Sequence, residues 1–265
     1  MAGALASHAP VLSGGDVYAA MKAYSHQYSF IGVITPSGNS VVERITLGVV
    51  RHLPQVSVHF SRTPVYGSSD PSPDSYAMDG PLAAARLLAH AAPQVLVWNG
   101  SKGGTIGFSH DRQLATAITQ ETGIAATTSI LGLESVLRER DIRRIAVVTP
   151  YGDAGQAKTV ACLQAEGYEV VAEAHAGYSD NLSYASVPFS LITDMARQVA
   201  LARPQAIVSL CTNFPAAVLA APLEAELGIP FFDTTALGVW RALTLCGVST
   251  SPAAAQWGSL FAGPA

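Results

Sequence analysis

The sequence predicts an α/β protein of two similar lobes, each a mainly parallel sheet flanked by helices, related by a pseudo-twofold duplication. Three observations predict it. The run Ile31–Gly32–Val33–Ile34–Thr35–Pro36–Ser37–Gly38–Asn39 recurs as Ile145–Ala146–Val147–Val148–Thr149–Pro150–Tyr151–Gly152–Asp153. The run Pro93–Gln94–Val95–Leu96–Val97–Trp98–Asn99–Gly100 recurs as Pro204–Gln205–Ala206–Ile207–Val208–Ser209–Leu210–Cys211, and Glu121–Thr122–Gly123–Ile124 answers Glu226–Leu227–Gly228–Ile229. Between these runs, short β-branched strands alternate with helical stretches, the pattern of parallel sheets covered on both faces. The first repeat has an offset of 114 residues and the Gly100–Cys211 pair one of 111. Two independent matches at nearly one offset mark a tandem duplication.

Along the chain, residues 1–28 show little periodicity and read as an N-terminal extension. The first lobe is assigned to 29–142. Its opening strand ends in a Thr-Pro-x-Gly-Asn turn able to cap a helix near 40–51, followed by a strand at 55–60, a helix near 81–91 and the strand that ends at Gly100. The second lobe is assigned to 143–265: a strand from Ile145, a helix near 154–166 stopped by Gly167, a strand at 168–171, a helix near 190–202 and the strand that ends at Cys211. Segments near the C-terminus can pack back on the first lobe. In both lobes a Thr- or Asp-containing triplet, Thr127–Thr128–Ser129 or Asp233–Thr234–Thr235, precedes a helix and suits capping, with a carboxylate-holding role as an addition.

A chain of 265 residues, 49% hydrophobic and only 13% charged, has ample core for such a fold. A net charge of −4 argues against a nucleic-acid partner. No apolar run nears the roughly 20 residues of a membrane span, and the first 30 residues lack a signal-peptide pattern. Three cysteines without framework spacing suggest a reducing, cytoplasmic setting, and seven scattered histidines suggest no metal site. No cofactor fingerprint is found. Monomer and homo-oligomer both remain open.

Ligands of parallel sheets bind beyond the carboxyl ends of strands. Asn39, Gly100, Tyr151 and Cys211 all fall there, so one cleft between the lobes can gather them. Asn213 is expected to cap a helix over 216–226, with Pro215 in its first turn; a thiol at that helix start would have a lowered pKa. The competing reading of Cys211 is a buried structural cysteine. Cys162 and Cys246 read as packing residues. The loop Ser101–Lys102–Gly103–Gly104–Thr105 offers backbone N–H groups, two hydroxyls and an ammonium suited to a carboxylate, although Lys102 equally suits a solvent-facing loop. Asn39 and Asp153 can be simple N-caps. Tyr151 can donate to an oxyanion, Asn181 can hold a carboxylate, and His175 reads as a surface or strand-end residue. Trp98, Phe214 and Val41 are candidate apolar walls.

The Pro36–Ser37–Gly38–Asn39 turn, Thr149–Pro150–Tyr151, Asn181 and Cys211–Thr212 together resemble the aspartate/glutamate racemase superfamily, within it the branch of maleate cis–trans isomerases and arylmalonate decarboxylases. The likeness runs from Ile31 to about Cys246. It implies that Asn39, Tyr151 and Asn181 hold substrate carboxylates and that Cys211 is the second-lobe catalytic cysteine. Racemases and maleate isomerases of the superfamily carry a cysteine where this chain has Gly100; arylmalonate decarboxylases carry glycine there. Lys102 has no counterpart in either pattern.

Two-base racemisation needs proton carriers on both faces of one carbon, and Gly100 supplies none. One thiol suffices for a malonate-like acid that loses CO2, because its enediolate takes a single proton. The expectation is therefore a cofactor-free decarboxylase of a small carboxylic acid, with Cys211 as proton donor and with Ser101, Tyr151 and the Thr212 backbone as oxyanion donors. The alternatives are a maleate-type isomerase, a hydrolase with Cys211 as nucleophile on an amide or cyclic imide, and a non-catalytic binder of small acids.

Overall fold

The computed structural model describes residues 28–65 and 74–263. The extension assigned to residues 1–28 lies outside them except for Tyr28. Two four-stranded, wholly parallel sheets form the frame. The first has the order β2 (Val56–Thr63), β1 (Ser29–Pro36), β3 (Val95–Trp98), β4 (Ala125–Thr128). The second repeats it as β6 (Glu169–Tyr178), β5 (Arg144–Tyr151), β7 (Ala206–Ser209), β8 (Phe231–Asp233). Crossovers in the first half run through α1 (Val42–Val50), α2 (Asp79–Ala89), the single turn α3 (Gly103–Ile106) and α4 (Phe108–Thr122), and α5 (Ser129–Glu139) follows β4. The second half has α6 (Asp153–Ala165), α7 (Asn181–Tyr184), α8 (Phe189–Ala200) and α9 (Ala220–Leu227), and α10 (Thr234–Leu245) follows β8. A last short helix, α11 (Ala254–Trp257), follows. The strand expected at 168–171 is much longer, because β6 continues along β5 as far as Tyr178.

Strand side chains alternate between faces. Ile31, Val33, Val95 and Val97 of the first sheet share one continuous core with Ile145, Val147, Ala206 and Val208 of the second. The opposite faces feed two outer clusters, Ile34, Leu96 and Trp98 under α2 and α4, and Ala146, Val148 and Ile207 under α8 and α9. Each fully buried Val, Leu or Ile contributes on the order of 1.5–3 kcal/mol, so the shared core binds the halves together.

The repeated motifs have structural causes. The Gln94 N–H donates to Phe30 O (2.9 Å) while its side-chain carbonyl accepts the Phe30 N–H. Gln205 does the same for Arg144 (2.8 Å each way) and also accepts from Arg143 N. Gly123 and Gly228 end α4 and α9 in the left-handed region, φ +70° and +66°, where a Cβ is strained. Thr128 caps α5 and Asp233 caps α10. The helix that follows the second sheet, α10, packs on α5, α1 and β3 of the first half. Among the described residues no helix is long and apolar enough to cross a membrane.

Candidate active site

The strand-end register matches the halves residue by residue. Asn99 N donates to Ile34 O (2.9 Å) and Leu210 N to Val148 O (3.0 Å), so Gly100 and Cys211 occupy equivalent positions, each one residue further on. Contacts across the seam then bring the two strand ends together. Thr212 N donates to Ser101 Oγ (3.4 Å), Asn39 Nδ2 to Thr212 Oγ1 (3.3 Å) and Asn99 Nδ2 to Thr235 O (3.2 Å).

Asn39 is held by its own turn. Its N–H closes on Pro36 O (3.0 Å), and its Oδ1 accepts from Val41 N and Val42 N (2.8 Å each), which starts α1. Arg62 donates to the carbonyls of Ser37 (2.9 Å) and Asn39 (3.0 Å) and pairs with Glu43 (2.8 Å), which pins the turn from outside. The Asn181 amide lies over Gly38, where an added Cβ would stand 3.1 Å from Nδ2. Asn39, Ser101 and Thr212 thus meet at one place, with the Asn181 amide beside the Asn39 turn.

Tyr151 ends β5. Its N–H donates to Thr149 Oγ1 (3.2 Å), whose own proton goes to Gln156 Oε1 (2.6 Å), and Gln156 donates to Glu173 (2.6 Å). Gly155 leaves room for the ring, since a Cβ there would touch Tyr151 Cβ at 3.0 Å. The hydroxyl bonds with Ser101 and Cys211, and burial holds its pKa well above the ordinary phenol value. Tyr184 meets the Tyr151 ring edge-on at 5.4 Å; burial raises its pKa to about 12, and the Cys211 charge adds to the rise.

Cys211 is 4% exposed. Its N–H donates to Thr234 Oγ1 (3.0 Å), and its sulfur receives the Asn213 N–H and the Tyr151 hydroxyl. Burial pushes the thiol pKa up to about 12 and nearby Asp233 pushes the same way, against the two donors. The lowered pKa expected from a helix start is therefore overturned. Residues 212–216 form turns, a 3-10 turn covers Ala217–Leu219, and α9 begins only at Ala220. Asn213 caps nothing; its Oδ1 accepts from Ser40 N (2.9 Å) and its amide donates to Asn181 O. That bridge between the Asn39 turn and the Asn181 segment went unread in the sequence, as did Tyr184.

Other expectations are corrected too. The Lys102 ammonium donates to Ser75 O (2.6 Å) and stands 5.9 Å from the centre of the Tyr76 ring. The Gly-rich loop is mostly the helical turn α3; Gly103 N donates to Tyr76 OH (3.0 Å) and Thr105 Oγ1 to Lys102 O (2.8 Å). Asp153 is no cap but an exposed partner of His175 (2.9 Å), which also meets Glu173 (3.2 Å) on β6. Phe214 is buried in the same second-half cluster as Cys211, and Val41 belongs to the shared core at the edge of a surface cavity. Cys162 is core, and Cys246 packs against it. Among the described residues no group of three or more His, Cys, Asp or Glu fits a metal ion.

Trp98 is the wall candidate that matters. A Cβ on Gly100 would lie 2.4 Å and 2.5 Å from the indole atoms Cζ2 and Cε2, so the ring fills the space of a first-half side chain. Side chains two apart on a strand share a face, a signal that could have found it.

This geometry has relatives. The chain is 25% identical over 221 residues to maleate isomerase of Nocardia farcinica, covering 80% of this chain and 88% of that one. It is 25% identical over 180 residues to arylmalonate decarboxylase of Bordetella bronchiseptica, covering 67% and 75%. The crystal structure of the maleate isomerase Iso from Pseudomonas putida S16 superposes with a TM-score of 0.80 at 22% identity, covering 90% of this chain and all of that one. The family model described as arylmalonate decarboxylase matches residues 72–261, a span that holds Gly100, Tyr151, Asn181 and Cys211, and the chain belongs to that family.

Proposed function

We propose that the protein decarboxylates a malonate-like carboxylic acid without a cofactor, with Cys211 delivering the proton. The observation that carries this reading is the asymmetry of the seam: a thiol at Cys211, and at its counterpart Gly100 no side chain and a space filled by Trp98. In the proposed reaction Asn39, Asn181 and Thr212 hold the substrate carboxylates. The bond from the α carbon to one carboxylate breaks, CO2 leaves and its electron pair forms an enediolate. Tyr151 and Ser101 donate to the developing oxyanion; such donors are each worth roughly 3–4 kcal/mol. The α carbon then takes the proton of the Cys211 thiol, and the thiolate is reprotonated from water.

The raised thiol pKa, about 12, supports this role. A thiol that stays protonated at neutral pH is ready as a donor to an enediolate, a far stronger base, and poorly suited as a resting nucleophile. The test is release of CO2 from a disubstituted malonate, with one hand of product from a prochiral substrate. Full activity in Cys211→Ala would overturn the assignment of the proton donor.

A second reading, maleate-type isomerisation, is favoured by the longer match to the Nocardia maleate isomerase. It predicts conversion of maleate to fumarate, followed by ultraviolet absorbance, and no CO2 release from malonates.

A further inference from the structure

The strand repeat sets two nitrogen bases in equivalent places. In the first sheet Thr35 of β1 pairs with Arg62 of β2; in the second, Thr149 of β5 pairs with His175 of β6. Each lies beside the turn that follows its half's first strand. Arg62 donates to Ser37 O and Asn39 O and pairs with Glu43. His175 meets Asp153, which answers Asn39 in the repeat, through Nε2 (2.9 Å), and Glu173 through Nδ1 (3.2 Å). Ionised carboxylates only accept, so the two bonds coexist only when both ring nitrogens carry a proton. Glu173 Oε2 also takes the Gln156 amide (2.6 Å), and through Gln156 and Thr149 the same chain reaches Tyr151 N. Past Thr149 the ladder shifts. Tyr151 pairs with Tyr178, so three steps of β6 answer two of β5, with Gly177 at φ +78°. A bulge of this kind re-aims a side chain, here the Tyr151 ring.

We infer that His175 is a pH-dependent positioning residue for Tyr151: as an imidazolium it ties Asp153 to Glu173 and holds the turn, and as a neutral ring it releases one of them. Arg62 keeps its charge throughout, so only the second-half brace switches. The inference rests on Tyr151 acting in the reaction, as the decarboxylase reading has it. Among the described residues, Asp153 of α6 and Glu173 of β6 are the charged groups that act on the ring. Lys158 of α6 turns to Asp74 (3.9 Å), and Arg144, the one charged residue of β5, pairs with Glu169 (3.1 Å). Helix α8, with Asp194 and Arg197, packs on the opposite face against Ala172 and Ala174. The bond to Asp153 leads in raising the His175 pKa above the ordinary 6.5; burial opposes it and Glu173 adds to it. Activity is therefore highest below that raised pKa and falls as pH rises through it. Cys211 and Tyr151 titrate far higher.

The test is the pH profile of kcat for CO2 release from phenylmalonate in the wild type, His175→Gln, His175→Arg and Glu173→Gln. In the wild type kcat should fall about tenfold through a midpoint above 6.5, with little change in KM. His175→Gln should hold the lower level at every pH. His175→Arg, which keeps a charge where the first half has arginine, should hold the higher level, and Glu173→Gln should move the midpoint down. A merely structural role would lower every profile without moving its midpoint. In parallel, NMR of ring-labelled histidine and tyrosine follows His175 and Tyr151 over the same pH range and needs no turnover. CO2 release with no fall, or with a fall that His175→Gln leaves in place, overturns His175 and keeps the decarboxylase reading. No release, with Tyr151 signals that follow the His175 titration, overturns the reading and keeps His175. No release, with Tyr151 signals indifferent to His175, overturns both.

Discussion

In the first half the Gln94 side chain ties the start of β1, α4 ends on left-handed Gly123, and Arg86 of α2 pairs with Glu121 of α4. In the second half Gln205 ties the start of β5, α9 ends on left-handed Gly228, and Arg197 of α8 pairs with Glu226 of α9. Even exposed ion pairs, which contribute little, have been kept in parallel places. The agreement stops two residues past the ends of β3 and β7. There the second half presents a buried thiol to the seam, while the first presents Gly100 backed by Trp98, Tyr76 and Asp111. The comparison teaches that the scaffold constrains both halves alike, because strand starts and helix ends must be satisfied in each. The proposed decarboxylation would need a proton from only one side.

The largest expected effect tests that one-sidedness. Cys211→Ser should lower kcat by about 10²–10⁴-fold, whereas Cys162→Ser, at a core position, should leave it nearly unchanged. Steady-state CO2 release measures both, and equal losses would break the contrast. Alkylation of Cys211 should also accelerate with a midpoint well above that of a free thiol, because burial raises its pKa to about 12.

Next comes the oxyanion partner. Tyr151→Phe keeps the ring against Tyr184 and removes only the hydroxyl, so it should lower kcat by about 10²–10³-fold with little change in KM. A change confined to KM would reassign Tyr151 to ground-state binding.

A smaller effect separates the buried carboxyls. Burial raises the pKa of Asp111 from 3.8 to about 7, against hydrogen bonds from Thr128 and Tyr76 and the charge of Arg112. Between those values the folded protein keeps a proton that the unfolded chain has shed, so stability falls as pH rises from about 4 to about 7 and then levels off. Asp233 in the second half behaves alike, raised by burial to about 7. Asp111→Asn should remove the first-half share of that decline, as read by urea denaturation at about pH 5 and about pH 7.5. An undiminished slope would assign the whole dependence elsewhere.

The smallest effect sharpens the likeness itself. Gly123→Ala and Gly228→Ala should each cost about 1–2 kcal/mol, because both force a Cβ into the left-handed region. Clearly unequal costs in equilibrium unfolding would show that the two helix ends are not equivalent supports.

What the sequence made legible follows from what repeats leave behind. The Pro–Gln alignment paired Gly100 with Cys211, and the strand-end register pairs them in space. Strand ends in parallel sheets gather at one edge, which is why Asn39, Tyr151 and Cys211 could be grouped from sequence spacing alone. The Cys211 pKa was misread because a nearby helix start is visible in sequence and burial is not; here burial prevails and the helix starts nine residues later. Lys102 stayed open between two readings because a loop lysine carries no sign of its partner, here Ser75 O. Tyr76 and Asp111 reach Trp98 from distant segments with no shared period, and no pattern could have joined them.

α5 and α10 each follow the fourth strand of their own half, and they pack on one another. A helix meeting its own equivalent across a pseudo-twofold axis is the form of an isologous dimer interface. In a true homodimer, any substitution appears on both sides of the axis: trading a thiol for glycine would remove both thiols at once. Joining the halves in one chain lifts that symmetry. One copy is then free to lose its thiol and fill the gap with an indole while the other keeps its own, so handed chemistry of the proposed kind would depend on the covalent link as much as on any residue in the cleft.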